Sequence, residues 1–569
     1  MPCANRFLMH ELEDTMLRTP FALLLALLAA SASLAQEADL PFLNAAPGAL
    51  DWWCEARFGL FVHWGPVSLR GTEIGWSRGG ERRGTGGTGE IPVEEYDSLY
   101  TEFDPTAFDA DEWVAIAKAA GMRYLVLTTK HHDGFCMFDS ALTDYKVTNS
   151  PIGRDLTAEL ADACHRGGLR LGFYYSPPDW RHPDYRTANH QAYVDYLHGQ
   201  IRELCTNYGR VDIIWFDGLG GTAEDWDAVE LFRMIRELQP GVLINNRAGL
   251  TGDFGTPEQV IGHYDPTNPW ESCITIGQQW SYRPDDQIKS LEQCIETLVR
   301  CAGGDGNLLL NVGPMPTGAI EPSQVDRLME VGEWLRSNGD TIYGTRGGPF
   351  RPGPWGAATC RGRQVFLHVL DVQAEDVLLP PMEARILSAA LRDGTGVAFS
   401  QGDSGVALRL PEAGRHPLDT VVTLSLDRPA LEAEVGLLAS GSLAHGRPVV
   451  ASNVFSGMAE FGPDKALDDD PETRWATDAG TSEATLAVDL GEDTEIAKVH
   501  VSEAFARVSS FRLERLVDGE WVAFYEGRSL GEAAVIEFEP ISVRHLRLSI
   551  LAASEGPTIW EFQVFPPAD

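Results

Sequence analysis

The run Ile213-Ile214-Trp215-Phe216-Asp217-Gly218 reads as a buried strand that stops on a carboxylate. A charge in such a place is costly unless something uses it, and in a parallel β/α enzyme the carboxyl ends of the strands are where chemistry collects. Two upstream runs end in the same manner: Leu125-Val126-Leu127-Thr128-Thr129-Lys130-His131-His132-Asp133-Gly134 and Leu171-Gly172-Phe173-Tyr174-Tyr175-Ser176. Three strands ending in polar and aromatic groups describe one pocket seen from three sides. A carboxylate fixed at a strand end suits nucleophilic attack on an acetal carbon, because that geometry must hold to a fraction of an ångström. Asp217 is therefore the candidate nucleophile. Adjacent imidazoles such as His131 and His132 can hydrogen-bond neighbouring hydroxyls of one sugar. Metal binding is the weaker reading, since neighbours on a strand point to opposite faces and no spaced third ligand accompanies them. His63 ends an earlier strand, Gly59-Leu60-Phe61-Val62-His63.

The elements that must hold these groups alternate between about residues 50 and 345. Strand candidates are 58–63, 124–129, 169–175, 211–216, 242–245, 260–263 and 308–312. Between them run amphipathic stretches at 111–120, 156–166, 190–208, 227–238, 289–301 and 323–337. Several end in glycine, as in Ala120-Gly121 and Gly167-Gly168, the usual helix stop. Alternation of this kind predicts a parallel sheet with crossover helices, and the number of units fits a (β/α)₈-like barrel. After Gly347 the prolines 349, 352 and 354 lead into short β-type runs, expected to form a small antiparallel β-sandwich over 346–436. An all-β pattern of its own fills 437–569. The catalytic barrel is expected over 36–345.

Fifteen tryptophans and 44% hydrophobic residues are enough for sizeable cores and suit a protein that handles sugars. The net charge of −38, spread along the chain, argues against a nucleic-acid or anionic-membrane partner. Arg18, the apolar stretch 21–30 and Ser33-Leu34-Ala35 have the form of a secretory signal over 1–35. The acidic first residues fit that form badly, so translation from Met16 is expected, with a secreted or periplasmic product. The signal run is too short to span a bilayer, and no later run is apolar enough. Nine cysteines are scattered with no CxxC pair; buried free thiols are the default, although export would permit one or two disulfides.

Residues 50–345 resemble the α-L-fucosidases of glycoside hydrolase family 29. The stretches that carry the resemblance are Ala56-Arg57-Phe58-Gly59-Leu60-Phe61-Val62-His63-Trp64-Gly65, Thr129-Lys130-His131-His132-Asp133-Gly134-Phe135, Gly172-Phe173-Tyr174-Tyr175-Ser176 with Asp179-Trp180, Trp215-Phe216-Asp217-Gly218, and Gly306-Asn307-Leu308-Leu309-Leu310-Asn311-Val312-Gly313-Pro314. The resemblance implies a retaining exo-hydrolase that removes terminal α-L-fucose from oligosaccharides or polysaccharides, with no cofactor for catalysis. It implies Asp217 as nucleophile and His63, His131, His132 and Tyr174 as contacts to sugar hydroxyls. Arg247 is expected near the sugar, and Trp76 and Trp280 beside its ring. Some members carry a glutamate directly before the tryptophan matching Trp76; here that position is Gly75, with Glu73 nearby. For the acid/base, Glu258, eleven residues after Arg247, falls where the family places it, and Glu271 is the alternative.

The C-terminal region resembles discoidin, or coagulation factor type C, domains, many of which bind sugars. Lys465, Asp468, Asp470 and Thr473 have the spacing of that family's structural calcium loop, and Glu561 fits its late ligand; all offer hard oxygen donors, Lys465 only through its carbonyl. Two other readings stand beside the main one: an exo-glycosidase for a related sugar such as α-L-galactose, and a non-catalytic carbohydrate-binding protein.

Overall fold

A computed structural model of the chain describes residues 41–436, 440–470, 473–531 and 533–567. The expected signal at 1–35 and the start at Met16 lie outside them. Seven parallel strands, β1 Phe58–Val62, β2 Tyr124–Lys130, β3 Arg170–Tyr175, β4 Ile213–Phe216, β5 Leu243–Ile244, β6 Glu271–Thr275 and β7 Asn307–Val312, curl into one sheet in the order β5-β4-β3-β2-β1-β7-β6. Helices α1 Ala110–Ala119, α2 Leu156–Gly167, α3 His190–Asn207, α4 Ala228–Leu238, α5 Leu291–Gly303 and α6 Pro322–Asn338 follow the strands. A parallel sheet covered on both faces needs strands that are apolar throughout rather than alternating, and β1, β4 and β7 are buried at every residue. Helix starts are capped locally: Asp109 accepts from the Glu112 amide and Asp155 from the Ala158 amide, each at 3.0 Å, and Ser290 with Gln293 forms a capping box at α5.

The eighth place in the barrel is filled without a regular strand. Single parallel bridges join Asn245 to Phe254, Gly255 to Trp270 and Glu258 to Cys273, so segment 253–259 links β5 to β6. Its amides complete the ladder: Asn246 donates to the Phe254 carbonyl at 3.1 Å, Glu271 to Gly255 at 2.9 Å and Gln259 to Cys273 at 3.0 Å. Asp253 anchors the segment, accepting from the Ile244 amide at 2.7 Å and the Arg236 guanidinium at 2.6 Å. The strand expected at 260–263 does not form; Val260 is exposed there, and the strand lies instead at β6. Glu271-Ser272-Cys273-Ile274-Thr275 is buried at every residue although its polar residues hide it from a hydrophobicity pattern.

The chain divides into two compact units. Beside the barrel, the first contains an antiparallel sheet in the order Ile386–Leu391, Thr420–Leu426, Gln364–Val369, Gly356–Arg361, Arg346–Gly347. The second contains a three-stranded sheet (Asp376–Leu379, Gly405–Arg409, Ala398–Gly402) and an antiparallel sheet of seven strands between Val449 and Phe565, whose core includes Trp475, Leu486, Val499, Leu513, Leu548 and Phe562. Among the described residues no helix is long and apolar enough to cross a membrane, and all eight described cysteines are free thiols, with no disulfide joining them.

The amino-terminal end of the barrel is tied by one buried ion pair. Arg57, 1% exposed, reaches Asp305 just before β7 and donates to the carbonyls of Gly306 (3.2 Å) and Thr345 (2.6 Å). Both partners adopt positive φ, 56° and 68°, a backbone cost accepted only where the surroundings over-determine it. Arg346 also bonds Asp305, so loss of Arg57 leaves that carboxylate a second cation but takes the donor from the buried carbonyls of Gly306 and Thr345. Arg57→Ala is expected to lower the unfolding free energy by about 1–3 kcal/mol, read by urea denaturation; a loss within experimental error would contradict this role.

Candidate active site

Every polar group of the cavity comes from a strand end or from the closing segment. His63 follows β1, His131 and His132 follow β2, Tyr174 lies on β3, Asp217 follows β4, Arg247 follows β5 by three residues, Glu258 sits on the closing segment and Trp280 follows β6. Alternation on β3 turns Tyr174 into the barrel and Tyr175 outward, where its hydroxyl donates to Gln200 at 2.8 Å. The cleft encloses about 370 Å³ including its mouth and is lined by Phe61, His63, Trp76, His131, Tyr174, Trp215, Asp217, Leu219, Arg247, Glu258, Cys273 and Trp280.

Asp217, only 9% exposed, is held on three sides. The Tyr174 hydroxyl donates to Oδ2 at 2.8 Å, His132 Nε2 lies 3.4 Å from the same oxygen, and Arg247 Nη1 donates to Oδ1 at 3.2 Å. Burial alone would raise this carboxyl, but the hydrogen bond and charge of His132, then the charge of Arg247, outweigh it and hold the group well below the usual carboxylate range. It is ionised at any working pH. Arg247 is fixed in turn: Nε and Nη2 donate to the Thr256 hydroxyl and carbonyl at 2.8 and 2.9 Å, and the guanidinium lies 4.8 Å over the Trp215 ring. Its Nη1 also donates to Glu258 Oε2 at 2.7 Å. One nitrogen therefore joins both carboxylates.

The floor is a column of stacked planes, His131 on Tyr174 (5.4 Å, 7°) and Tyr174 on Trp215 (5.7 Å, 19°). His63 Nδ1 meets Asn311 Oδ1 at 2.6 Å while the Asn311 amide donates to the Trp280 carbonyl at 2.7 Å. That fixes His63 with its proton on Nδ1, and burial takes its pKa down to about 3, so the ring is neutral. Trp76 packs edge-on to His132 and Trp180 at 5.6 and 5.1 Å. His132 stands behind the lining, with Nδ1 on Ser176 Oγ at 2.5 Å. Among the described residues, His131, His132 and Asp217 form the one group of side chains whose ligand atoms, all within 4.8 Å of one another, could surround a metal ion.

The residues expected from sequence thus meet, with one exception. Glu271 starts β6 at the opposite end of the barrel, sealed between the Tyr124 hydroxyl and Trp215 Nε1 (3.2 Å), with none of its surface exposed. It does not reach the cavity. Glu73 does not face the sugar cavity either: its carboxylate accepts from the amides of Trp280 (2.9 Å), Ser281 (3.2 Å) and Ile74 (3.1 Å), clamping the two tryptophan loops together. Four lining residues were not singled out from sequence. Phe61 and Trp215 had a signal, being inward-facing positions on strands already identified; Leu219 and Cys273 had none.

In the C-terminal unit, Thr473 Oγ1 donates to Asp468 at 2.8 Å, and the carbonyls of Lys465 and Asp470 lie 3.3 and 3.4 Å from that hydroxyl. Both carboxylate oxygens of Glu561 are buried without a hydrogen-bond partner, and burial followed by the charges of Asp469, Asp468 and Asp470 takes its pKa up to about 8. A buried, unpartnered carboxylate beside hard oxygen donors fits a calcium ion.

A parallel barrel that sets two carboxylates on one arginine in an aromatic-walled pocket belongs to the glycoside hydrolase class. The model of the family described as Alpha-L-fucosidase matches residues 27–340, and that of the F5/8 type C domain matches 448–562. The chain belongs to the α-L-fucosidase family and carries a discoidin-type domain. It is 30% identical over 471 residues to the tissue α-L-fucosidase of Rattus norvegicus, covering 74% of this chain and 100% of that protein. Among solved structures it is similar to α-L-fucosidase isoenzyme 1 from Paenibacillus thiaminolyticus (40% identity, TM-score 0.61, 67% of this chain and 99% of that one). It is also similar to a Bacteroides thetaiotaomicron fucosidase solved as a trapped covalent intermediate (26% identity, TM-score 0.59, 68% and 98%).

The sealed Glu271 has a consequence for stability. Burial is the main cause that lifts its carboxyl from 4.5 to about 7, so between those values the folded state holds a proton that the unfolded state has released. Stability contributed by the protonated group is complete at low pH and falls as pH rises towards 7, by up to roughly 1.4 kcal/mol per unit. Glu271→Gln is expected to flatten that fall in denaturation series across this window; a slope equal to that of wild type would disprove it.

Proposed function

We propose that this chain is an exported retaining exo-α-L-fucosidase, acting on terminal α-L-fucose of glycans through a covalent glycosyl-enzyme. The observation that carries the reading is Arg247 Nη1, which lies 3.2 Å from Asp217 and 2.7 Å from Glu258. The nearest oxygens of the two carboxylates can stand no further apart than those two distances laid end to end. That limit lies near the roughly 5–5.5 Å of retaining enzymes and below the roughly 6.5–9.5 Å of inverting ones.

In the first step an Asp217 oxygen attacks the anomeric carbon while Glu258 gives its proton to the departing glycosidic oxygen. The bond to the leaving group breaks as the ester to Asp217 forms. In the second, Glu258 takes a proton from water, whose oxygen displaces Asp217 and releases fucose. Glu258 is half exposed at the lip, where it can exchange protons between steps; Asp217 is buried and rigid, as a nucleophile must be. His63, His131 and Tyr174 contact the sugar hydroxyls, His132 braces Asp217 from behind the lining, Trp76 and Trp280 flank the ring, and Arg247 keeps both carboxylates in register. A trapped covalent intermediate of a related fucosidase supports the same course. The signal-like segment at 1–35 supports a secreted or periplasmic location. In the C-terminal domain Asp468, Asp470, Thr473, Glu561 and the Lys465 carbonyl would hold calcium, which there cross-links a loop and takes no part in hydrolysis.

Two experiments test this. Glu258→Ala should lower kcat on para-nitrophenyl α-L-fucoside by about 10²–10⁴-fold, and azide should restore turnover with a fucosyl azide of retained configuration. Asp217→Ala should be inactive, with any azide product inverted; turnover of either variant near that of wild type overturns the assignment. Calcium should raise the thermal midpoint of the full chain over that in chelator, by about 2.7 kcal/mol of stability at a hundred times Kd, and Glu561→Gln should erase the difference. An identical response in that variant removes Glu561 from the site.

A further inference from the structure

The sugar cavity carries an arrangement that hydrolysis alone does not require. The Ser176 hydroxyl donates to the Pro178 carbonyl at 2.8 Å, so its oxygen can only accept from His132 Nδ1, 2.5 Å away. A neutral His132 then carries its proton on Nδ1 and turns the lone pair of Nε2 to Asp217 Oδ2 across 3.4 Å, whereas the doubly protonated ring donates there and supplies the charge that helps hold Asp217 ionised. Nε2 has no hydrogen-bond partner and is buried, and the same is true of His131 Nδ1. A lone pair facing a carboxylate needs a hydrogen-bearing or positive centre between them. A sugar hydroxyl supplies one; a dication supplies a stronger one.

We propose that a divalent transition ion of the zinc class binds at His131, His132 and Asp217 and blocks the sugar cavity. A zinc ion bonded to nitrogen and oxygen at about 2.0–2.2 Å sets its ligand atoms roughly 3.3 Å apart. The His132–Asp217 edge already has that length, 3.4 Å, and the three ligand atoms all lie within 4.8 Å of one another. The objection from sequence disappears in three dimensions: past the end of β2 the backbone is no longer extended, the two rings lie 4.1 Å apart, and Asp217 is the third ligand that sequence spacing could not reveal. Ser176 on Nδ1 plays the part of the outer hydrogen bond that orients a ligating imidazole. Two of the three residues, His131 and Asp217, line the cavity, so an ion held there occupies its floor. Binding stands on this geometry alone; that it inhibits rests on the hydrolase reading above.

The test uses the full metal-free chain in saturating calcium, which occupies the C-terminal acidic loop. Titration with zinc chloride by calorimetry should give one site of micromolar strength. His132→Ala and Asp217→Asn should each weaken it at least tenfold, and free L-fucose should compete. Cobalt chloride should give visible bands of nitrogen and oxygen ligation without thiolate charge transfer, which excludes the cysteines. Zinc should inhibit para-nitrophenyl α-L-fucoside hydrolysis competitively. No saturable binding up to millimolar zinc, or equal binding by both variants, overturns the proposal while leaving the hydrolase reading intact. Stoichiometric, fucose-competed binding by a metal-free protein that turns over no fucoside supports the metal site and overturns the hydrolase reading instead.

Discussion

One guanidinium sets the working geometry of the cavity. Arg247 is immobilised by Thr256 and Trp215 on its own side and spends its remaining N–H groups on Asp217 and Glu258. Without it, two carboxylates at this separation in a partly desolvated cleft would repel, and one would take up a proton. With it, Asp217 stays ionised in spite of burial and Glu258 is held within reach of the same reacting carbon. The pair stays close because both ends answer to one rigid cation.

The irregular eighth element of the barrel follows from the same demand. A regular strand would point successive side chains alternately into the packed interior and outward, and either position is wrong for a group that must touch both substrate and water. Segment 253–259 is pinned at its start by Asp253 and further along by the single bridge at Glu258, which leaves Glu258 leaning over the rim. The two carboxylates thus differ in environment by construction, one buried at a strand end and one half exposed on a bridge segment, and that difference suits a nucleophile and a proton donor respectively.

Much of this was legible in the sequence, and the reasons for the gaps are physical. The strands were readable because both faces of a parallel sheet are buried, and the polar residues of the cavity because they stand directly after such runs. Glu271 could not be placed, since Trp270-Glu271-Ser272-Cys273 has the composition of a site loop. Only its pairing with Asn307 and Ser272's with Leu308 make it the base of a strand. Glu73 and Asn311 were beyond reach for a different reason: each acts by hydrogen bonds to backbone atoms more than thirty residues away, and no local pattern encodes them. The adjacent histidines were judged on ideal strand geometry, which no longer holds past Lys130.

The glycine before Trp76 shows how tightly the rim is built. Gly75 has φ +68°, and a Cβ there would stand 2.6 Å from His131 Nδ1, so no side chain enters without displacing a floor residue. Its amide donates to the Tyr96 hydroxyl at 2.8 Å, which in turn donates to Asp133 at 2.7 Å, and this fixes the backbone from behind. Glu73 cannot supply a carboxylate in its place, because its oxygens are already taken by the Trp280 loop. The rim of this pocket is therefore built from two tryptophans and backbone held from beneath, while the acidic groups that line the cleft are confined to Asp217 and Glu258. That confinement keeps a single arginine sufficient to balance them.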